Sequence, residues 1–259
     1  MTPVVVEIPH AGLSADPIAL ATLAAPARSI AQDADLYVDE LYADAPDEGA
    51  TVLVSHVSRY VCDLNRASDD ADSLAVEGGR ARSAPHGVIW RSTTESRPAL
   101  TAPLSRSEYE RRIESIYRPY HAALARLLDE RIQRFGYVVL LCAHSMPSYG
   151  RDGHRDPGSR RADVVPGSRG RTSAAGSVID IPDRLARERG WSVAHDEPYR
   201  GGFSTAHYGR PALHQHAVQV ELSRRLYMDE ATLAKKPKQF EEVRTYCRDL
   251  VARLAEVEL

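Results

Sequence analysis

The chain has 259 residues, 43% hydrophobic and 27% charged, with a formal net charge of −3; this is ordinary globular composition, with length enough to bury a full core. So small a charge, with the arginines scattered rather than massed in one stripe, excludes a nucleic-acid footprint, and no apolar run reaches the roughly 18 residues that span a bilayer. Three widely spaced cysteines, Cys62, Cys142 and Cys247, form neither a disulfide framework nor a CxxC metal site, so a soluble protein in a reducing cytoplasm is expected, with no basic-then-apolar leader in residues 1–4.

In chain order, Val4–Ile8 is a β-branched run that predicts a buried strand. Residues 17–43 predict helix, with Leu36, Val38, Leu41 and Tyr42 at helical spacing. Residues 51–54 and the pair Tyr60-Val61 predict two further strands. Residues 69–103, polar and rich in Gly, Ser and Arg, predict a long excursion over the surface, and loops of such length are often functional. Residues 105–135 predict the clearest helix: Ser105 opens a capping box with Glu108, apolar positions recur from Ile113 to Leu127, and Gly136 ends it. Pro119 should kink or split it. The apolar run 137–142 predicts a central strand covered on both faces. A second polar, arginine-rich excursion fills 148–177, followed by a helix at 181–189, a strand at 217–222 and a closing helix at 240–257. The alternation predicts an α/β fold, a single domain over 1–259, with a largely parallel mixed central sheet and helices on both faces.

Polar residues stand where the predicted strands end: His10 in IPHAG, Arg59 and Asn65-Arg66 in SRYVCDLNR, His144 in LLCAHSM, and Glu221 in VQVEL. Ligands of open α/β sheets bind outside the carboxyl ends of the strands. Two histidines and a carboxylate delivered there are what a catalytic zinc site needs, since such sites use three protein ligands and keep a fourth position open. A carboxylate amid an apolar strand, as at Glu221, is costly to bury unless it is paired, ligating or catalytic. The histidines at 56, 86, 121, 154, 195, 214 and 216 read as surface or packing groups.

SRYVCDLNR, CAHSM, the stretch YRGGFSTAHYGRP (199–211) and HAVQVELSRRLYMDE (216–230) together resemble the N-formylglutamate amidohydrolase family, a resemblance that runs from about residue 4 to 230. It implies a fold like the zinc carboxypeptidases and aspartoacylase-type deacylases, with Zn(2+) held by His10, His144 and an acidic residue. The wider clan places that acid three residues after the first histidine, where this chain has Leu13. The segment QDADLYVDELY (32–42) is similar to the family's replacement, with Asp35 the chosen ligand; Asp39 lies one turn on along the same face, and Asp33 ranks last. A plain acidic helix start is the alternative.

The resemblance further implies that Arg59 polarises the scissile carbonyl, that Asn65 and Arg66 grip a substrate carboxylate, and that Glu221 is the general base. Arg59 or Arg66 paired with Asp63 is the structural alternative. Arg200, His207, Tyr208 and Arg210 would line the pocket, with Gly201-Gly202 letting backbone approach the substrate. The implied reaction is hydrolysis of the N-acyl bond of a small acidic amino acid, N-formylglutamate first, with neither nucleic acid nor membrane as partner. Two other readings stand beside it: a zinc carboxypeptidase or peptidoglycan amidase acting on peptides, and a metal-free binding protein of the same fold.

Overall fold

Strands β1 (Val4–Ile8), β2 (Thr51–Val54), β3 (Val138–Met146), β4 (Val164–Gly167) and β5 (Gln215–Ser223) form one sheet in the order β2-β1-β3-β5-β4. The structure is a computed structural model and describes residues 1–82 and 84–259. β1 pairs in parallel with β2 and β3, β3 pairs in parallel with β5, and β4 runs antiparallel along the edge of β5. The helices are α1 (Pro17–Leu20), α2 (Ala27–Asp33), α3 (Val38–Leu41), α4 (Arg106–Arg112), α5 (Arg118–Phe135), α6 (Gly176–Glu188), α7 (Phe203–Tyr208) and α8 (Pro237–Ala255).

Successive strand side chains point to opposite faces, and both faces here are apolar. Val4, Val6, Ile8, Val139, Leu141, Val218 and Val220 pack with residues of α3, α6 and α8. Val5, Leu140, Cys142 and Ala217 pack against Leu124 and Leu128 of α5 and Tyr208 of α7. The expected α/β class and largely parallel mixed sheet are what the chain forms.

Several local expectations give way to tertiary structure. Residues 17–43 hold three short helices, because Pro26 caps the second and Tyr37, at φ 68°, interrupts the path into the third. Tyr60 and Val61 are fully buried in a turn rather than a strand, and Tyr60 packs its ring 5.4 Å from Trp90. The excursion at 69–103 is not a surface loop: Ala75, Val76, Val88 and Ile89 are buried in a small core of their own with Tyr109, Ile113 and Tyr117. Pro119 does not break the long helix, because a π-helical segment, Ile113–Tyr117, absorbs the misfit just before it. The second excursion conceals β4, whose Pro166 is tolerated because the strand lies at the sheet edge. β3 is longer than the apolar run predicts, so His144 stands inside it, in register with Glu221 of β5.

Candidate active site and metal centre

The carboxyl ends of the three central strands bring His10, His144 and Glu221 together, and the chain after α2 adds Asp35. His10 follows β1, and its carbonyl accepts the Asp35 backbone N–H at 2.9 Å. Asp35 Oδ2 lies 2.9 Å from His144 Nδ1 and 3.6 Å from His10 Nδ1. Ligand atoms of these three buried residues all lie within 4.8 Å of one another. Leu13 is exposed and lies outside this group, whose carboxylate is that of Asp35. The other two candidates fall elsewhere. Asp39 lies in the first turn of α3. Asp33 accepts from Tyr60 Oη (2.5 Å), Thr94 N (3.0 Å), Thr94 Oγ1 and Arg151 Nη1 (2.7 Å), which ties both excursions to α2.

Two further hubs hold the cluster. Asp63, fully buried, takes His10 Nε2 (2.8 Å) and the Asn65 N–H (2.9 Å) on Oδ1. Its Oδ2 accepts from Arg59 Nη2 (3.3 Å) and Trp90 Nε1 (2.9 Å). A histidine whose far nitrogen donates to a carboxylate is oriented as metal-binding histidines are. Arg224 reaches Asp35 Oδ1 at 3.2 Å from Nη2 and Ser145 Oγ at 3.1 Å from Nε. Burial alone would raise the Asp35 carboxyl, but the neighbouring imidazoles of His10 and His144 and the charge of Arg59 hold it well below the usual carboxylate range. Asp63 is held down likewise, against its burial, by His10, Arg59 and Arg66.

Arg59 lies with its guanidinium 4.6 Å from the centroid of the Trp90 ring, donates to the Asp33 carbonyl (3.1 Å), and pairs with Asp63. Among the described residues Arg66 donates only to backbone, from Nε to His86 O (2.8 Å) and from Nη1 to Asn65 O (2.9 Å). The ion pair with Asp63 therefore belongs to Arg59, and Arg66 has no carboxylate within salt-bridge distance among the described residues. Asn65 puts Nδ2 3.2 Å from His144 Nε2. Glu221 is buried; that burial, with Asp35 nearby, pushes its carboxyl above the usual range despite His144, Arg59 and Arg161.

Four residues expected to line the pocket are not joined to this cluster. Arg200 and His207 are exposed, and His207 stacks on Phe203 at 4.9 Å. Tyr208 is buried toward α5, its Oη 3.0 Å from His121 Nδ1. Arg210 bonds Gln215 Oε1 (2.9 Å) at the amino end of β5, opposite the end that carries Glu221. Arg200 precedes the short helix α7 and the other three lie on it and its exit, while backbone at the start of that helix meets the cluster: the Ser204 N–H donates to Asn65 Oδ1 at 3.0 Å, and a Cβ on Gly202 would lie 2.3–2.5 Å from the Asn65 side chain. Sequence reasoning named Asp63 only as an ion-pair partner for Arg59 or Arg66, and passed over Trp90, Gln219 and Arg224. Asp63 and Gln219 carried a signal, being polar residues inside the apolar contexts VCDL and VQVE; Trp90 and Arg224 carried none.

Comparison with known proteins agrees with this architecture. The family model for N-formylglutamate amidohydrolase matches residues 2–228. An N-formylglutamate deformylase of Pseudomonas putida is 35% identical over 88% of this chain and 82% of its own length. One of Pseudomonas aeruginosa is 32% identical over 97% and 92%. The crystal structure of an N-formylglutamate amidohydrolase from Ralstonia eutropha JMP134 superposes with a TM-score of 0.88 at 32% identity, covering 98% of this chain and 93% of that one. A gene product of Agrobacterium tumefaciens, at 19% identity and a TM-score of 0.67, shares the fold. On the breadth of the family match and the identity to both deformylases, the chain belongs to the N-formylglutamate amidohydrolase family.

Proposed function

We propose that this protein hydrolyses the formamide bond of N-formylglutamate to glutamate and formate, with one zinc ion held by His10, Asp35 and His144. The observation that carries the reading is the convergence of two imidazole nitrogens and a carboxylate oxygen, all buried, at the carboxyl end of a parallel sheet. The donor set fits the ion. His10 Nδ1 is a buried nitrogen without a hydrogen-bond partner, while its Nε2 is committed to Asp63. A nitrogen left bare on that side and anchored on the other is suited to ligation. Zinc in such a site lowers the pKa of bound water toward about 7 and polarises a carbonyl oxygen.

The chain's own residues supply the rest. Glu221, its proton affinity raised by burial, takes a proton from the attacking water and passes it to the departing amine. The water oxygen becomes bonded to the formyl carbon as the carbon–nitrogen bond breaks. Arg59, held by Trp90, Asp63 and the Asp33 carbonyl, stabilises charge developing on the carbonyl oxygen, a contribution of roughly 3–4 kcal/mol. Among the described residues no carboxylate is paired with the Arg66 guanidinium, which suits it to a carboxylate of the substrate, with Asn65 beside it. The three cysteines are free and buried, which supports a reducing, cytoplasmic setting.

The test is turnover of N-formyl-L-glutamate by purified protein before and after metal removal by a chelator, and after zinc is restored. Activity should vanish and return with about one zinc per chain. Full turnover without metal would refute zinc dependence. A zinc-loaded protein inert toward N-formylglutamate but active on short acylated peptides would refute the substrate.

A further inference from the structure

Gln219 is a buried amide two residues before Glu221 on β5, and strand alternation puts both on the same face of the sheet. Its two ends do different things. Oε1 accepts from the Gly202 N–H at 2.8 Å and from Asn65 Nδ2 at 3.3 Å, while Nε2 donates to Glu221 Oε1 at 2.8 Å. A backbone N–H can only donate, so Gly202 decides which end of the Gln219 amide is oxygen. The same logic orients Asn65, whose Oδ1 accepts the Ser204 N–H at 3.0 Å, turning Nδ2 toward Gln219. The bonds therefore run in one direction, from the start of α7 through Asn65 and Gln219 to Glu221.

From this directed chain we infer that Gln219 is a positioning residue: it fixes the carboxylate of Glu221 for proton transfer and couples it to the Gly201-Gly202 loop and Asn65. The inference rests on the reading of Glu221 as the general base and adds a residue through which that base is held. The coupling has little slack, since Gly202 lies so close to the Asn65 amide that no side chain fits between them. A carboxylate on an unrestrained stem samples several rotamers, and one buried as Glu221 is needs a hydrogen-bond donor from the protein. The Gln219 N–H answers both needs, selecting one rotamer and supplying a donor to Oε1, which leaves the second oxygen for the proton.

The test is a double-mutant cycle on the zinc-loaded protein with N-formyl-L-glutamate, following kcat, KM, bound zinc and Tm for Gln219→Met, Glu221→Gln and the double variant. Gln219→Met should keep its zinc and lower kcat about 100-fold, the scale of a misplaced reacting group. In the Glu221→Gln background it should lower kcat no further, because the group it acts through is gone. Additive losses in the double variant, or unchanged kcat in the single one, overturn the inference. If Gln219→Met does not fold, Gln219→Asn keeps both amide functions on a stem too short to reach Glu221 and enters the same cycle with the same expectations. A wild-type enzyme inert toward N-formylglutamate, or a fully active Glu221→Gln, would instead defeat the underlying reading, and the cycle separates these outcomes.

Discussion

Replacing Asp63 by Asn probes the residue on which most of the site hangs. The carboxylate is fully buried and accepts four donors: His10 Nε2 and Asn65 N on one oxygen, Arg59 Nη2 and Trp90 Nε1 on the other. Asparagine has nearly the same shape but presents an NH2 at one end, so whichever way it turns, two donors face a donor. Arg59, only 14% exposed, would keep Asp35 at 3.6 Å as its nearest carboxylate. Removing one partner of a buried pair costs roughly 3–5 kcal/mol. At about 2–4 °C per kcal/mol for a chain near this size, Tm should fall by about 6–20 °C. His10 loses the group that orients it, and zinc affinity should fall about 10–100-fold. Thermal melting and competition against a chromophoric chelator measure the two effects. A Tm unchanged within a degree or two, with unchanged affinity, would refute the hub; a lowered Tm with intact affinity would show that Asp63 serves Arg59 and not His10.

Glu221→Gln should retain one zinc per chain and lose about 10²–10⁴-fold in kcat, because the amide keeps the shape without accepting a proton; loss of the metal would make Glu221 a ligand and withdraw Asp35. Arg66→Ala should lower kcat/KM for N-formylglutamate by about two to four decades, from roughly 3–5 kcal/mol at 1.4 kcal/mol per decade. Formylated amides lacking a free α-carboxylate should change little, and equal losses on both substrates would sink the carboxylate role. Gly202→Ala should raise KM with zinc content unchanged, since its Cβ would sit 2.3–2.5 Å from the Asn65 side chain and push it aside; a wild-type KM would show that Asn65 does not hold substrate.

Much of the frame was legible from the chain alone because it depends on near neighbours. The apolar runs around Val4–Ile8 and 137–142 declare buried strands by their own residues, and the polar residues beside them, His10, His144 and Glu221, therefore fall at the carboxyl ends of the sheet. What the chain alone could not decide was which partner each buried polar group would choose. Asp33, Asp35 and Asp39 look alike in sequence. Asp35 joins the histidines through His144, 109 residues on, and Arg224, 189 residues on. Asp33 is claimed by Thr94 and Arg151, 61 and 118 residues away. β4 was hidden because VVPG has too little apolar length and a proline, and becomes a strand only by adding to the edge of β5. Tyr60-Val61 reads as a strand yet folds as a turn, its burial supplied by Trp90 from the first excursion. Tyr208 and Arg210 follow the same rule, since the short helix and its exit carry these side chains away from the site that Gly202, just before the helix, approaches. Periodicity and apolar burial are local and additive along the chain. Hydrogen-bond pairing of buried groups is not, because each group takes the partner that folding brings within 3 Å, and only the tertiary structure decides which one that is.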